Sequence, residues 1–274
     1  MKKIILFLVC ICCSAAYGQR KPKIKGNKSV IEVSEDLPAF HGIELKDDLE
    51  ILLQKSSEPG YTITADDNLI DILKFEIIDS TLVISSFYTI TAKKQLDITV
   101  RYDELRNITV NDGQVLTDAI ISTDQLVVNT LGYSRVELQF SAAVANLNME
   151  GNSKAKLNID SDSLSMTLKD KIDANIYAVS NTQLLDMQGD ALAKIEGSSD
   201  TLRVKMSGST KLRAEQLEGG TVQLEILETA SARIHAYRRL ELSSSGTAKV
   251  FLYGDPVIEI KEFLDSSELY KRAD

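Results

Sequence analysis

Ser134-Arg135-Val136-Glu137, Ala155-Lys156-Leu157-Asn158, Ala174-Asn175-Ile176-Tyr177 and Ala193-Lys194-Ile195-Glu196 share one pattern. A small residue, an outward residue, an aliphatic residue and a second outward residue follow one another. Inward and outward positions alternate as they do along a strand. The pattern continues in Thr210-Lys211-Leu212-Arg213, Ala232-Arg233-Ile234-His235 and Ala248-Lys249-Val250-Phe251. The aliphatic positions are 136, 157, 176, 195, 212, 234 and 250, seven repeats at a mean spacing of 19 residues. A second track runs about ten residues ahead of each: Leu126/Val128, Leu147/Met149, Leu164/Met166, Leu185/Met187, Leu202/Val204, Val222/Leu224 and Leu240/Leu242. Each repeat therefore reads as two strands of about five residues and two short connections carrying Gly, Ser, Asn and Asp, as turns require.

Two architectures compete for such a pattern. In a β-solenoid each repeat is one coil, and equivalent residues stack at roughly 4.8 Å. In a sandwich the same strands form an antiparallel meander. The solenoid accounts better for an inward track that stays small in every repeat, because a stacked column needs the same volume at each level.

The rest of the chain divides around the repeats. Met1-Lys2-Lys3, the apolar run Ile4 to Cys13 and the small residues before Gln19 read as a signal peptide over 1–18. The apolar run is ten residues long, and a bilayer-spanning helix needs about 20. Cys10, Cys12 and Cys13 are the only cysteines, so the mature chain could form neither a disulfide nor a thiolate metal site. Residues 19–37 read as a flexible leader with a first strand at 30–33. Residues 38–104 form a β-rich portion with alternating Ile43/Leu45 and Leu49/Ile51/Leu53. It includes a hairpin around Asp79-Ser80-Thr81 and one short helix at Leu69 to Leu73, N-capped by Asp or Asn. The solenoid spans 105–260, and 261–274 form a C-terminal tail or cap.

This order of features resembles the family of auto-transporter adhesin head GIN domains, found in exported proteins of Gram-negative bacteria. The resemblance rests on Leu37-Pro38-Ala39-Phe40-His41-Gly42-Ile43, Ala65-Asp66-Asp67-Asn68-Leu69, Tyr102-Asp103-Glu104-Leu105 leading to Ile108-Thr109-Val110, the small-residue coils, and Tyr253-Gly254-Asp255-Pro256. It implies an all-β protein with a right-handed parallel β-helix. It implies no mechanism.

The residues themselves argue against most chemistry. Net charge is −9, which leaves no electrostatic footprint for nucleic acid. His41 and His235 are the only histidines, too few for a zinc site without cysteine, and no nucleophile-elbow sequence occurs. The acidic pairs Asp160/Asp162, Asp170/Asp173 and Asp186/Asp190 are too sparse for the 6–8 oxygens of calcium and read as turn residues. No cofactor is expected. The most suggestive surface is an outward basic column, Arg135, Lys156, Lys194, Lys211, Arg233 and Lys249, interrupted by Asn175. It would either meet an envelope polyanion, glycan or protein, or be a solvated face balanced by Glu137 and Glu196. The sequence thus points to a non-enzymatic, exported cell-envelope interaction module located in the periplasm, on the outer membrane or outside the cell. The competing reading is a polysaccharide lyase or hydrolase on a β-helix. Self-association stays open.

Overall fold

A computed structural model describes residues 21–273; the segment read as a signal peptide lies outside the described residues. The N-terminal elements are β1 (Lys23–Lys25), β2 (Val30–Asp36), β3 (Gly42–Lys46), β4 (Glu50–Lys55), β5 (Gly60–Asp66), the helix α1 (Asp67–Ile70), β6 (Leu73–Ile78), β7 (Thr81–Ser86), β8 (Thr89–Ala92) and β9 (Leu96–Tyr102). The stack continues through β10 (Asn107–Thr117), β11 (Ile121–Met149), β12 (Lys154–Leu168), β13 (Asp173–Met187), β14 (Leu192–Met206), β15 (Lys211–Ile226) and β16 (Ser231–Ser244). It closes with β17 (Lys249–Tyr253), β18 (Val257–Phe263) and β19 (Glu268–Lys271).

From β10 onward every pairing is parallel and joins one coil to the next. The fold is a β-solenoid of about nine turns, more than the seven repeats the sequence pattern marks. Ahead of the first repeat lie β10, which pairs with β11, and then β3 and β4, which pair with β10; after the last lie β18 and β19, which pair with β16 and β17.

Each coil is not two short strands with two connections. In β12 the burial alternates through Ala155, Leu157, Ile159 and Ser161, then resumes out of phase at Leu164, Met166 and Leu168. Two consecutive outward residues, Asp162 and Ser163, turn the corner without ending the strand, and pairing resumes at Ser163. Small side chains sit inside the bend: Ser161, Ser180 and Ser199 stack there and are all buried. The second corner is a true turn. It carries a column of left-handed residues: Gly132, Gly151, Asp170, Gly189, Gly208, Glu228, Gly246 and Asp265, with φ between 57° and 87°.

Below the coils, β7 adds in parallel to β3 and β9 to β4. β5 then pairs antiparallel with β9, β2 with β5, and β6 with β7. Antiparallel strands thus cover this end of the stack. The first strand expected at 30–33 extends over Val30–Asp36, because it finds a full partner in β5. The hairpin at 79–81 forms with Asp79 and Ser80 both at positive φ, the geometry of a tight I′-type turn. The helix is one turn long and starts earlier than the sequence reading placed it, since Leu73 opens β6. Asp66 precedes it without a side-chain cap, and its carboxylate accepts instead from the Lys94 N–H at 3.1 Å. One continuous apolar core runs from Phe40 to Leu252.

Candidate functional site: a groove across four coils

The register of the coils decides which outward residues are neighbours. Arg135, Lys154, Asp173, Leu192, Lys211, Ser231, Lys249 and Glu268 form one outward column. Glu137, Lys156, Asn175, Lys194, Arg213, Arg233, Phe251 and Tyr270 form the next. The basic column expected from the sequence is thus two columns. Arg135, Lys211 and Lys249 lie in the first, while Lys156, Lys194 and Arg233 lie in the second. The inward tracks separate in the same way. Val136, Leu212 and Val250 stack with Ala155, Ala174, Ala193 and Ala232, so the small track is not uniformly small.

Most of these cations have a carboxylate beside them. Arg135 meets Glu137 at 2.7 Å, Lys194 meets Glu196 at 2.5 Å, Arg233 meets Glu215 at 3.5 Å and Lys249 meets Glu268 at 3.2 Å. All are exposed, so each pair contributes ~0–1 kcal/mol. Lys156 and Lys211 have no ion pair among the described residues. At the far end of the second column Phe251 stacks on Tyr270 at 5.1 Å, with Arg233 and Arg272 over the Phe251 ring. Phe251 is therefore engaged within the protein. There Glu268 is held below its usual carboxylate range, first by the Tyr270 hydroxyl and then by Lys249.

A third outward column, Gln139, Asn158, Tyr177 and Glu196, runs beside the second. The two columns enclose a depression of about 410 Å³, lined by Glu137, Gln139, Lys156, Asn158, Asn175, Tyr177, Lys194 and Glu196, with the edges of Leu138, Leu157 and Ile176 at its floor. Tyr177 is half exposed, at 51%. Sequence reasoning missed this groove because the repeat pattern does not align Tyr177 with Asn158 and Gln139. The usable signal is the even step of the true register, which brings Asn158, Asn175 and Tyr177 beside Lys156.

Glu137 and Glu196 lie three coils apart, hence roughly 14 Å or more. Glycoside-cleaving carboxylates sit about 5–9.5 Å apart. The groove has the composition of a cleavage site but not its spacing.

Two other depressions differ from it. One of about 590 Å³ lies among Leu184, Arg203, Lys205, Gln223, Glu225 and Glu241. Its polar groups satisfy one another: Arg203 donates to Gln223 at 2.7 Å, Gln223 to Glu241 at 3.3 Å, and Lys205 pairs with Glu225 at 3.3 Å. The other lies at the corner and gathers Asp160, Asp162, Asp200 and Glu218; among the described residues no acidic, histidine or cysteine group is arranged to hold a metal ion. Of the remaining acids, Asp170 accepts the Gly151 N–H at 3.3 Å and Asp186 accepts from Gln188 at 3.2 Å. His41 is exposed in its turn, and half-buried His235 lies in register with Tyr253 of the next coil.

The fold and the groove define a class: a β-solenoid whose polar outward columns present a surface rather than an enclosed pocket. The chain belongs to the family described as "Putative auto-transporter adhesin, head GIN domain", whose model matches residues 39–256. Solved structures share the fold. A putative adhesin from Parabacteroides merdae is 16% identical with a TM-score of 0.65, covering 92% of this chain and 99% of that one. A putative adhesin from Parabacteroides distasonis is 14% identical with a TM-score of 0.69, covering 91% and 100%. A structure named as a putative lipid binding protein, also from Parabacteroides distasonis, is 18% identical with a TM-score of 0.60, covering 91% and 99%. No curated protein matches the chain. Among the described residues no helix is long and apolar enough to cross a membrane.

Proposed function

We propose that the protein is exported and acts as a non-enzymatic, adhesion-like interaction module of the cell envelope, presenting the outward columns of its coils to a partner. The observation that carries the reading is the separation of the groove carboxylates. Glu137 and Glu196 stand beyond the distance at which two acids can work on one glycosidic bond, and each is tied to a cation, Arg135 and Lys194. Export rests on the basic, apolar and small-residue order of residues 1–18.

The polysaccharide lyase or hydrolase reading keeps one point in its favour, the presence of two glutamates and two lysines along one groove. Incubation of the purified protein with a panel of acidic and neutral polysaccharides separates the two. The proposed reading expects no new reducing ends and no unsaturated products after prolonged incubation. Catalytic turnover of any polysaccharide in the panel overturns it.

A further inference from the structure

The polar groups of the 410 Å³ groove are unsatisfied in a way that those of the 590 Å³ depression are not. Asn158 and Asn175 make no side-chain hydrogen bond among the described residues, and only the backbone N–H of Gln139 is engaged, with Thr117. An amide offers two donors and an acceptor with two lone pairs, so three side chains along the groove have open hydrogen-bonding capacity. Elsewhere on the solenoid, amides in comparable columns bond to one another: Asn148 donates to Asn129 at 3.0 Å.

Charge is distributed just as unevenly. Glu137 and Glu196 are neutralised locally by Arg135 and Lys194. That leaves Lys156 as the one lysine or arginine in the groove without an ion pair among the described residues. Beside it Tyr177 holds out a half-exposed ring. A flat aromatic face, free amides and a single unmatched cation suit a ligand with an apolar ring face, several hydroxyls and an anionic group. A pyranose carrying a carboxylate or sulfate has all three. The lining from Glu137 to Lys194 and Glu196 covers four coils, roughly 14 Å from first to last, and the volume lies within the ~300–1,000 Å³ of ligand sites. An acyl chain is a poorer match: Leu116 and the edges of Leu138, Leu157 and Ile176 give the groove an apolar part, but such a chain would leave the amides and Lys156 unmatched.

We propose that this groove binds an acidic glycan, with Tyr177 stacking on a sugar ring, Lys156 meeting its carboxylate or sulfate, and Asn158, Asn175 and Gln139 holding hydroxyls. The inference rests on the binding-module reading above and names the site and ligand class for it.

The test is calorimetric titration of the purified protein with alginate oligosaccharides as the carboxylate probe, heparin oligosaccharides as the sulfate probe and dextran oligosaccharides as the neutral control. Saturable binding of at least one acidic probe and at least tenfold weaker binding of dextran are expected. Lys156→Glu and Tyr177→Ala should each weaken the acidic probe roughly tenfold or more. Lys211→Glu, the same charge change at another unpaired lysine outside the groove, should alter it less than about twofold. Circular dichroism checks that each variant is folded. Equal losses for Lys156→Glu and Lys211→Glu would show bulk electrostatics and overturn the groove assignment. So would equal binding of dextran, no binding of any oligosaccharide, or association only with anionic lipid vesicles. Shortening of a bound probe would instead defeat the non-enzymatic reading while leaving the groove assignment standing.

Discussion

The turn column shows how strongly one backbone conformation is demanded at each coil. At Gly208, φ is 79°, and an added Cβ would come within 2.6 Å of the Gly189 carbonyl oxygen and 3.0 Å of its nitrogen. Both the left-handed conformation and the close approach exclude a side chain there. Gly208→Ala should therefore cost about 1–3 kcal/mol, lowering Tm by roughly 2–4 °C per kcal/mol in a calorimetric scan. Where acids replace glycine, the side chain compensates. The carboxylates of Asp170, Glu228 and Asp265 accept the backbone N–H of Gly151, Gly208 and Gly246, one coil back, at 3.3, 2.8 and 2.9 Å. Asp170→Gly should accordingly change stability by less than about 1 kcal/mol, since relief of left-handed strain offsets the lost bond. The turn character of Asp170 was legible in the sequence; that of Glu228 and Asp265 was not. The alignment of all three with the glycines was not legible either, because it emerges only once the coils are counted in the true register.

At the scale of strands, alternation was readable and phase was not. The hydrophobic period of two gave β3 and β4 their buried faces, and the structure buries Ile43, Leu45, Leu49, Ile51 and Leu53 as expected. The coils were misaligned because any small residue followed two places later by an aliphatic one fits the pattern. Two adjacent inward columns offer such a match, Ser134 before Val136 and Ala155 before Leu157. Pairing resolves it: Val136 stacks on Ala155, and Leu138 stacks on Leu157. A polar intruder in the other inward track also went unseen. Gln183 is fully buried in the column of Ala145, Leu164, Leu202, Val222 and Leu240. Its Nε2 donates to the Ser198 carbonyl at 3.3 Å, and its Oε1 has no hydrogen-bond partner. An unmet buried acceptor costs about 1–3 kcal/mol. Gln183→Leu should therefore raise stability by roughly 1 kcal/mol, measured by urea unfolding; a clear loss would contradict that assignment.

For the whole molecule, stability should depend on level in the stack, because each coil contacts only its neighbours. Ile234 is fully buried between coils. Ile260, in the last coil of the described residues, is 52% exposed, and Ile258 and Phe263 beside it are 43% and 41% exposed. β18 and β19 add one more coil at this end, with these inward side chains about half exposed and Leu269 packed against the core. Ile234→Ala should cost about 2–5 kcal/mol, whereas Ile260→Ala should cost less than about 1 kcal/mol, by the same unfolding assay. The family and the solenoid were legible in the sequence because repetition survives misalignment. The groove was not, because a site built across coils exists only at one register.

That register is the claim on which the groove depends, and spin-label distances measure it directly. No cysteine occurs beyond residue 13, so pairs of introduced cysteines at Lys154/Lys211, Lys154/Lys249 and Arg135/Lys249 would each carry two labels in one outward column. They span three, five and six coils. At ~4.8 Å per coil, dipolar electron spin resonance should give backbone separations of roughly 14, 24 and 29 Å, rising linearly with coil number. Distances that fail to rise with coil number, as in a folded meander, would contradict the account.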